Sequence, residues 1–188
     1  MEEYLKETLT IDYTSPIIQE KVHKLKNQSS GNADYIKKSF IFVRDEIPHS
    51  LDIQTDIVSK TASEALLNKT GICWVKSCLF AALLRANKIP SGISYQLLTR
   101  AHDESEGYII HALNTVYIKD LKKWIRLDTR EKDKNKSFSL DKEILAYNVR
   151  KELGEIDYKD NHPDLDKRLV KILKESENIA DIKADFEF

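Results

Sequence analysis

Cysteine is scarce in this chain, with two in 188 residues, and no Cys-x-x-Cys pair occurs. That excludes a disulfide-stapled scaffold and a cysteine-rich zinc module. Cys73 and Cys78 lie five positions apart, which on a helix turns them about 140° away from each other. A disulfide between them is not expected, and a zinc site using both with a histidine is disfavoured. A charge excess is also missing: 30 basic side chains face 31 acidic ones. Nucleic acid is therefore not expected as the main partner, because phosphate neutralisation needs a basic excess or stripe. No apolar run approaches the ~20 residues of a membrane span, so no membrane partner is expected. The opening M-E-E-Y-L-K-E-T has no apolar signal core, and the expectation is a cytoplasmic protein with free thiols.

What is present suits one globular domain: 41% hydrophobic and 32% charged residues, without repeats or low-complexity tracts. Leu5–Tyr13 reads as a strand or an extended arm. Ser15-Pro16 opens a short helix carrying Ile17, Ile18, Val22 and Leu25. Ile36, Phe40, Val43 and Ile47 recur at helical spacing between a cap at Asn32 and a stop at Pro48. Thr61-Ala62-Ser63-Glu64 has capping-box spacing. After Pro90 the pattern turns to strands: Ile93–Thr99, Tyr108–Ile118 and Lys123–Asp128, the last two as a hairpin. Charged or polar loops are read at Ala101–Gly107, where Asp103, Glu104 and Glu106 suggest solvation, and at Glu131–Ser137. Asn161-His162-Pro163 is read as opening a final helix with Leu165, Leu169, Ile172 and Ile179 on its apolar face. Helices, then strands, then a helix give an α+β fold in one domain over residues 1–188, with a core of about 33–130 and a C-terminal extension over 131–188.

Thr70–Pro90 organises the rest. Gly71 permits a tight bend, after which Ile72, Val75, Leu79, Leu83 and Ala86 form a helical stripe ending at Asn87. Cys73 falls in the first turn, where unpaired N–H groups and the helix dipole favour thiolate over thiol. It is a candidate nucleophile, although most helix cysteines are buried hydrophobes, the role expected of Cys78. The hairpin supplies partners. A turn at Asp120-Leu121 would pair Tyr117 with Trp124 and put Asp128 opposite Leu113, leaving His111 a diagonal neighbour of Asp128 on one face. A four-residue loop puts them directly opposite. A three-residue loop separates them. If that face meets the start of the Cys73 helix, cysteine can attack, histidine can carry a proton, and aspartate can orient the ring.

G-I-C-W with A-A-L-L-R-A-N-K-I-P-S-G, then I-I-H-A-L-N-T-V-Y, then W-I-R-L-D-T resembles the transglutaminase-like superfamily. The likeness is strongest over about 61–130. It extends to F-V-R-D-E-I-P-H-S-L-D upstream, as in bacterial members, and to I-L-A-Y downstream. The resemblance implies a papain-like fold, with the cysteine helix packed on an antiparallel sheet, and Cys73, His111 and Asp128 as nucleophile, base and orienting acid. Leu113 stands where many members carry an aromatic residue, and Thr129 where proline is frequent. The zinc pairs of peptide N-glycanases and the calcium loops of the large eukaryotic transglutaminases have no counterpart, so no metal and no cofactor are expected.

The function expected on this footing is acyl transfer on peptide or protein amides through a thioester at Cys73, by hydrolysis as a peptidase or amidase. Transamidation, acetyl transfer to an arylamine, and a non-catalytic peptide-binding module are the alternatives. The Cys73 N–H is the natural first oxyanion donor. Trp74 and Gln54 are candidates for the second. His49, with Ser50 and Asp52, either borders the cleft, donates to an oxyanion, or simply forms a turn. Trp74, His49 and Gln54 are thus the candidate substrate-binding residues.

Overall fold

In the computed structural model the described residues are 1–100, 107–130 and 138–184. The two expected polar loops, Asp103, Glu104 and Glu106 among them, lie almost wholly outside these ranges. Among the described residues there are five α-helices: α1 (Pro16–Asn27), α2 (Asn32–Glu46), α3 (Ala62–Asn68), α4 (Cys73–Ala86) and α5 (Lys167–Glu175). The strands β1 (Ser91–Thr99), β2 (Tyr108–Ile118), β3 (Lys123–Leu127) and β4 (Ile156–His162) form one antiparallel sheet in the order β3-β2-β1-β4. No helix among the described residues is long and apolar enough to cross a membrane.

Helix α4 is the centre. Every residue from Trp74 to Arg85 is buried, so the apolar stripe read from the sequence is only one side of a helix enclosed all round. It packs on β1 and β2 with α1, α2 and α3 about it. Val75, Leu79, Phe80, Leu83 and Leu84 are each 0% exposed. Removing each such side chain from water contributes roughly 1.5–3 kcal/mol before entropy is subtracted. Two cations are buried on the same helix. Arg85, fully enclosed, donates to the carbonyls of Ser91 (2.7 and 3.1 Å), Lys6 (2.6 Å) and Pro163. It thereby ties the N-terminal arm, β1 and the segment after β4 to one point. Lys76 donates to Val43 O at 2.8 Å and to Ile47 O, closing the C-terminus of α2.

Several local expectations need correction. The N-terminal arm begins with a 3₁₀ turn at Glu2–Leu5 and contains no strand. Gly31 occupies the N-cap of α2, and Asn32 is its first helical residue. Asn161 and His162 end strand β4 instead of opening a helix. β4 pairs with β1, and α5 starts four residues beyond Pro163, where Asp166 accepts from the Arg168 N–H at 2.8 Å. Leu169 and Leu173 are its buried face, while Ile179 lies in a separate 3₁₀ turn. At Gly92 a Cβ would meet the His162 carbonyl at 2.8 Å, so glycine lets β4 close on β1.

The hairpin register is the one derived from Tyr117 opposite Trp124, continuing to Asn114 opposite Leu127. Its connection is not a two-residue turn. Lys119–Leu121 form one turn of 3₁₀ helix, closed by Lys122 in the left-handed region at φ 50°.

Candidate active site

Cys73 owes its position to a bare helix start. The N-cap is Ile72, which has no oxygen to offer. The Cys73 N–H has no intrahelical carbonyl either, so it stays available at the positive end of the helix. The helix is then stitched to β2 at helical and strand spacing together. Trp74 Nε1 donates to Ile110 O at 2.8 Å, Ser77 Oγ to Ala112 O at 3.1 Å, and Asn114 Nδ2 to Ser77 O at 2.9 Å. These bonds set Cys73 beside His111. The sulfur is partly exposed and lies 3.9 Å from Ile110 O.

His111 is 2% exposed, and its Nε2 stands 2.9 Å from Asp128 Oδ2. The Cys73 sulfur also favours the ring's charged form, and Nδ1 is the nitrogen that Asp128 leaves unengaged. Asp128 follows directly on β3, diagonal to His111 in the observed register. Its other hydrogen bonds come from the backbone: Arg130 N to Oδ1 at 2.9 Å and Ala146 N to Oδ2 at 3.0 Å. The Tyr147 ring stands edge-on to His111, with centroids 5.0 Å apart and planes at 80°. Thus I-L-A-Y, distant in sequence, encloses the imidazole–carboxylate pair.

The electrostatics follow from these contacts. Burial pushes the Cys73 thiol up, but hydrogen bonding by His111 and His49 and the charge of His111 bring it down to about 5. Burial pulls His111 down, but the charge and hydrogen bond of Asp128 and those of Cys73 raise it to about 10. Burial alone would raise Asp128, and His111 with the two backbone donors holds it below the usual carboxylate range. Around neutral pH the sulfur and ring are therefore a thiolate–imidazolium pair, titrating as one unit. Cys78 contrasts: burial drives its thiol up to about 12.

The other sequence candidates separate. Trp74 is buried and its indole N–H is taken by Ile110 O, so it serves as groove wall and not as an oxyanion donor. Gln54, at φ 52°, also lines the groove, on a loop clipped by the Arg130–Asp52 ion pair at 2.6 and 2.8 Å. His49 is no plain turn residue: it is 8% exposed, bridges Gly71 and lines the same groove as Cys73, whose thiol it helps to lower.

A groove of about 470 Å³ opens on Cys73. Its walls are largely apolar, from Leu51, Ile72, Ile109 and Ile110 on one part and Ile179 and Ile182 of the C-terminal segment on another. Leu51 is 63% and Ile109 37% exposed. The C-terminal wall gave no signal in the sequence, because Ile179 read as the tail of a helix face and Ile182 lay beyond it.

Residues 10–129 match the family model of the transglutaminase-like superfamily. A solved structure of a candidate cysteine protease from Cytophaga hutchinsonii superposes with a TM-score of 0.54 at 18% identity, over 68% of this chain and 40% of that one. The periplasmic domain of TgpA from Pseudomonas aeruginosa, bound to ethylmercury, gives 0.50 at 14% identity, over 67% and 46%. The chain spans less than half of either structure, and at such identities the likeness is one of fold. No curated protein matches the chain.

Proposed function

The chain belongs to the transglutaminase-like superfamily, a family of cysteine-dependent enzymes, and we propose that it hydrolyses an amide bond in a peptide or protein through a thioester at Cys73. The observation that carries this reading is a thiol–imidazole–carboxylate series whose sulfur end, Cys73, lines an open groove while His111 and Asp128 lie buried behind it. The thiolate attacks the amide carbonyl, and the Cys73 N–H faces the oxygen as it gains charge. When the carbon–nitrogen bond breaks, the His111 imidazolium gives its proton to the leaving amine. The neutral ring then takes a proton from the water that opens the thioester. Asp128 keeps the ring oriented and its charged form stable throughout.

The groove supports an apolar side chain on the acyl portion of the substrate. Water as acceptor is supported by charge: among the described lining residues Arg100 and Lys183 outnumber the one carboxylate, Asp56, a poor setting for a protonated amine. The test is turnover of a peptide and glutamine-amide library by wild type and Cys73→Ala, followed by mass spectrometry. Peptide cleavage or ammonia release lost in Cys73→Ala is expected. Cross-linked products would assign an amine acceptor, and no turnover in either protein would overturn the reading.

A further inference from the structure

Two imidazoles stabilise one thiolate, and the reaction above uses only one of them. His49 reaches the site by a path separate from the sheet. Pro48 ends α2, and Lys76 Nζ holds the carbonyls of Val43 (2.8 Å) and Ile47. Thr70 Oγ1 donates to Pro48 O at 3.1 Å, His49 forms a parallel bridge with Gly71, and Ser50 N donates to Gly71 O at 3.3 Å. The segment 48–50 is thus fixed to the residues just before Cys73.

The ring itself is oriented. Leu51 N–H donates to His49 Nδ1 at 3.3 Å. A nitrogen that accepts is unprotonated, so the neutral ring carries its proton on Nε2. With Nδ1 occupied, the Nε2–H is the donor this ring has left to offer in the groove that it lines together with Cys73. Among the described residues no carboxylate is hydrogen-bonded to this ring, in contrast to His111 with Asp128. The two rings are built for different tasks: His111 exchanges its proton, and His49 holds its own. Trp74, the other N–H donor beside the nucleophile, is committed to Ile110 O.

We propose that His49 Nε2–H is the second oxyanion donor, acting with the Cys73 N–H. This rests on the thioester chemistry proposed above. In the resting site the N–H donates to the thiolate. As the sulfur–carbon bond forms, the sulfur loses its charge and the carbonyl π pair moves onto oxygen. The N–H, relieved of the thiolate, donates to that adjacent oxygen. When the intermediate collapses, the oxygen returns its pair, the carbon–nitrogen bond breaks, and the amine leaves with the proton from His111. His49 keeps its proton from beginning to end.

The test compares two reagents at pH 8 on wild type, Cys73→Ala and His49→Phe. Iodoacetamide alkylates the thiolate by direct displacement, with no oxyanion. p-Nitrophenyl acetate acylates it through one. His49→Phe keeps the ring and removes the N–H. The expected result is alkylation of Cys73 within about threefold of wild type, with acylation slowed by about 10²–10³-fold, the loss typical of one missing oxyanion donor. His49→Gln, which carries an amide N–H, should recover part of the acylation rate. If His49→Phe does not fold, His49→Ala is held to the same split. Equal losses with both reagents, or no loss with either, would overturn the assignment. Wild-type acylation no faster than in Cys73→Ala would overturn both this assignment and the thioester reading, an outcome distinct from a failure of His49 alone.

Discussion

Replacing His111 by alanine should invert the pH dependence of thiol reactivity, and the magnitude follows from the site. In the wild type Cys73 is held at about 5, chiefly against burial by its hydrogen bonds to the two imidazoles. It is therefore almost wholly thiolate by pH 6.5. A stabilised thiolate is also a poorer nucleophile. With a Brønsted slope of about 0.45, each anion reacts about 40-fold more slowly than one from an ordinary thiol at ~8.5. His111→Ala removes the imidazolium and returns the thiol to about that ordinary value or above it. At pH 5.5 the variant then has roughly one thiolate in a thousand, and wild type should alkylate about 20-fold faster. At pH 8 about a quarter of the variant is ionised, each anion is more reactive, and the variant should be about 10-fold faster. The curves cross near ~pH 7. The assay is iodoacetamide labelling from pH 5 to 9, read by mass spectrometry on the Cys73 peptide. Cys78, whose buried thiol is raised to about 12, serves as the unreactive internal control. A wild-type profile inflecting near 8.5, or two profiles that never cross, would refute the thiolate–imidazolium assignment.

Asp128→Asn preserves the shape but turns a charged acceptor into an amide that stabilises the imidazolium far less. We expect amide turnover to fall by about 10²–10⁴-fold, with the thiol inflection moving to higher pH, both measured on the same preparation. An unchanged inflection would detach Asp128 from the pair. Arg85→Met leaves the carbonyls of Lys6, Ser91 and Pro163 without their buried donor. A loss of about 3–5 kcal/mol is expected, read as a lower urea midpoint; a change below about 1 kcal/mol would show that water replaces the guanidinium at little cost.

The helical half of the fold was legible because its signals are local. Ser15-Pro16 opens α1, and Thr61 accepts from Glu64 N at 3.2 Å as the capping spacing implies. Of the hairpin registers weighed, the one built on a turn at Asp120-Leu121 is the one observed, though the connection is a 3₁₀ turn. β4 was not legible. Ile156–His162 carries Asp157, Lys159 and Asp160 and only modest burial, so no alternating apolar face marks it. Its strand state comes from pairing with β1 and from the space that Gly92 leaves, both non-local. The helix signal at Asn161-His162-Pro163 lost to that pairing, and the Asp166 cap set the start of α5 instead.

At the site, the same division separates what could be read from what could not. Cys73 and His111 lie on regular elements and Asp128 directly after one, so spacing put His111 and Asp128 on one face for two of the three loop lengths considered, and the family resemblance joined Cys73 to them. His49, Gln54 and Trp74 lie where spacing says nothing. The indole of Trp74 could go to the groove or to the sheet, and the Ile110 carbonyl decides it. His49 gains its contact from a bridge to Gly71, 22 residues further on. That bridge depends on a lysine buried three positions after the nucleophile. Lys76 is depressed to about 8, mainly by burial, a sign that enclosing it costs free energy. A leucine there would be cheaper to bury but could not hold Ile47 O and Val43 O together. The ammonium thus exchanges stability for position: α2 ends where Pro48 must start, and His49 arrives at the sulfur with its N–H forward. The precision of the nucleophile's surroundings comes less from the apolar packing of α4 than from the side-chain donors that pin neighbouring backbone, Lys76 to α2 and Trp74 and Ser77 to β2. Substitutions that fill space equally well but donate nothing at 74, 76 or 77 should leave the fold standing and the chemistry slow.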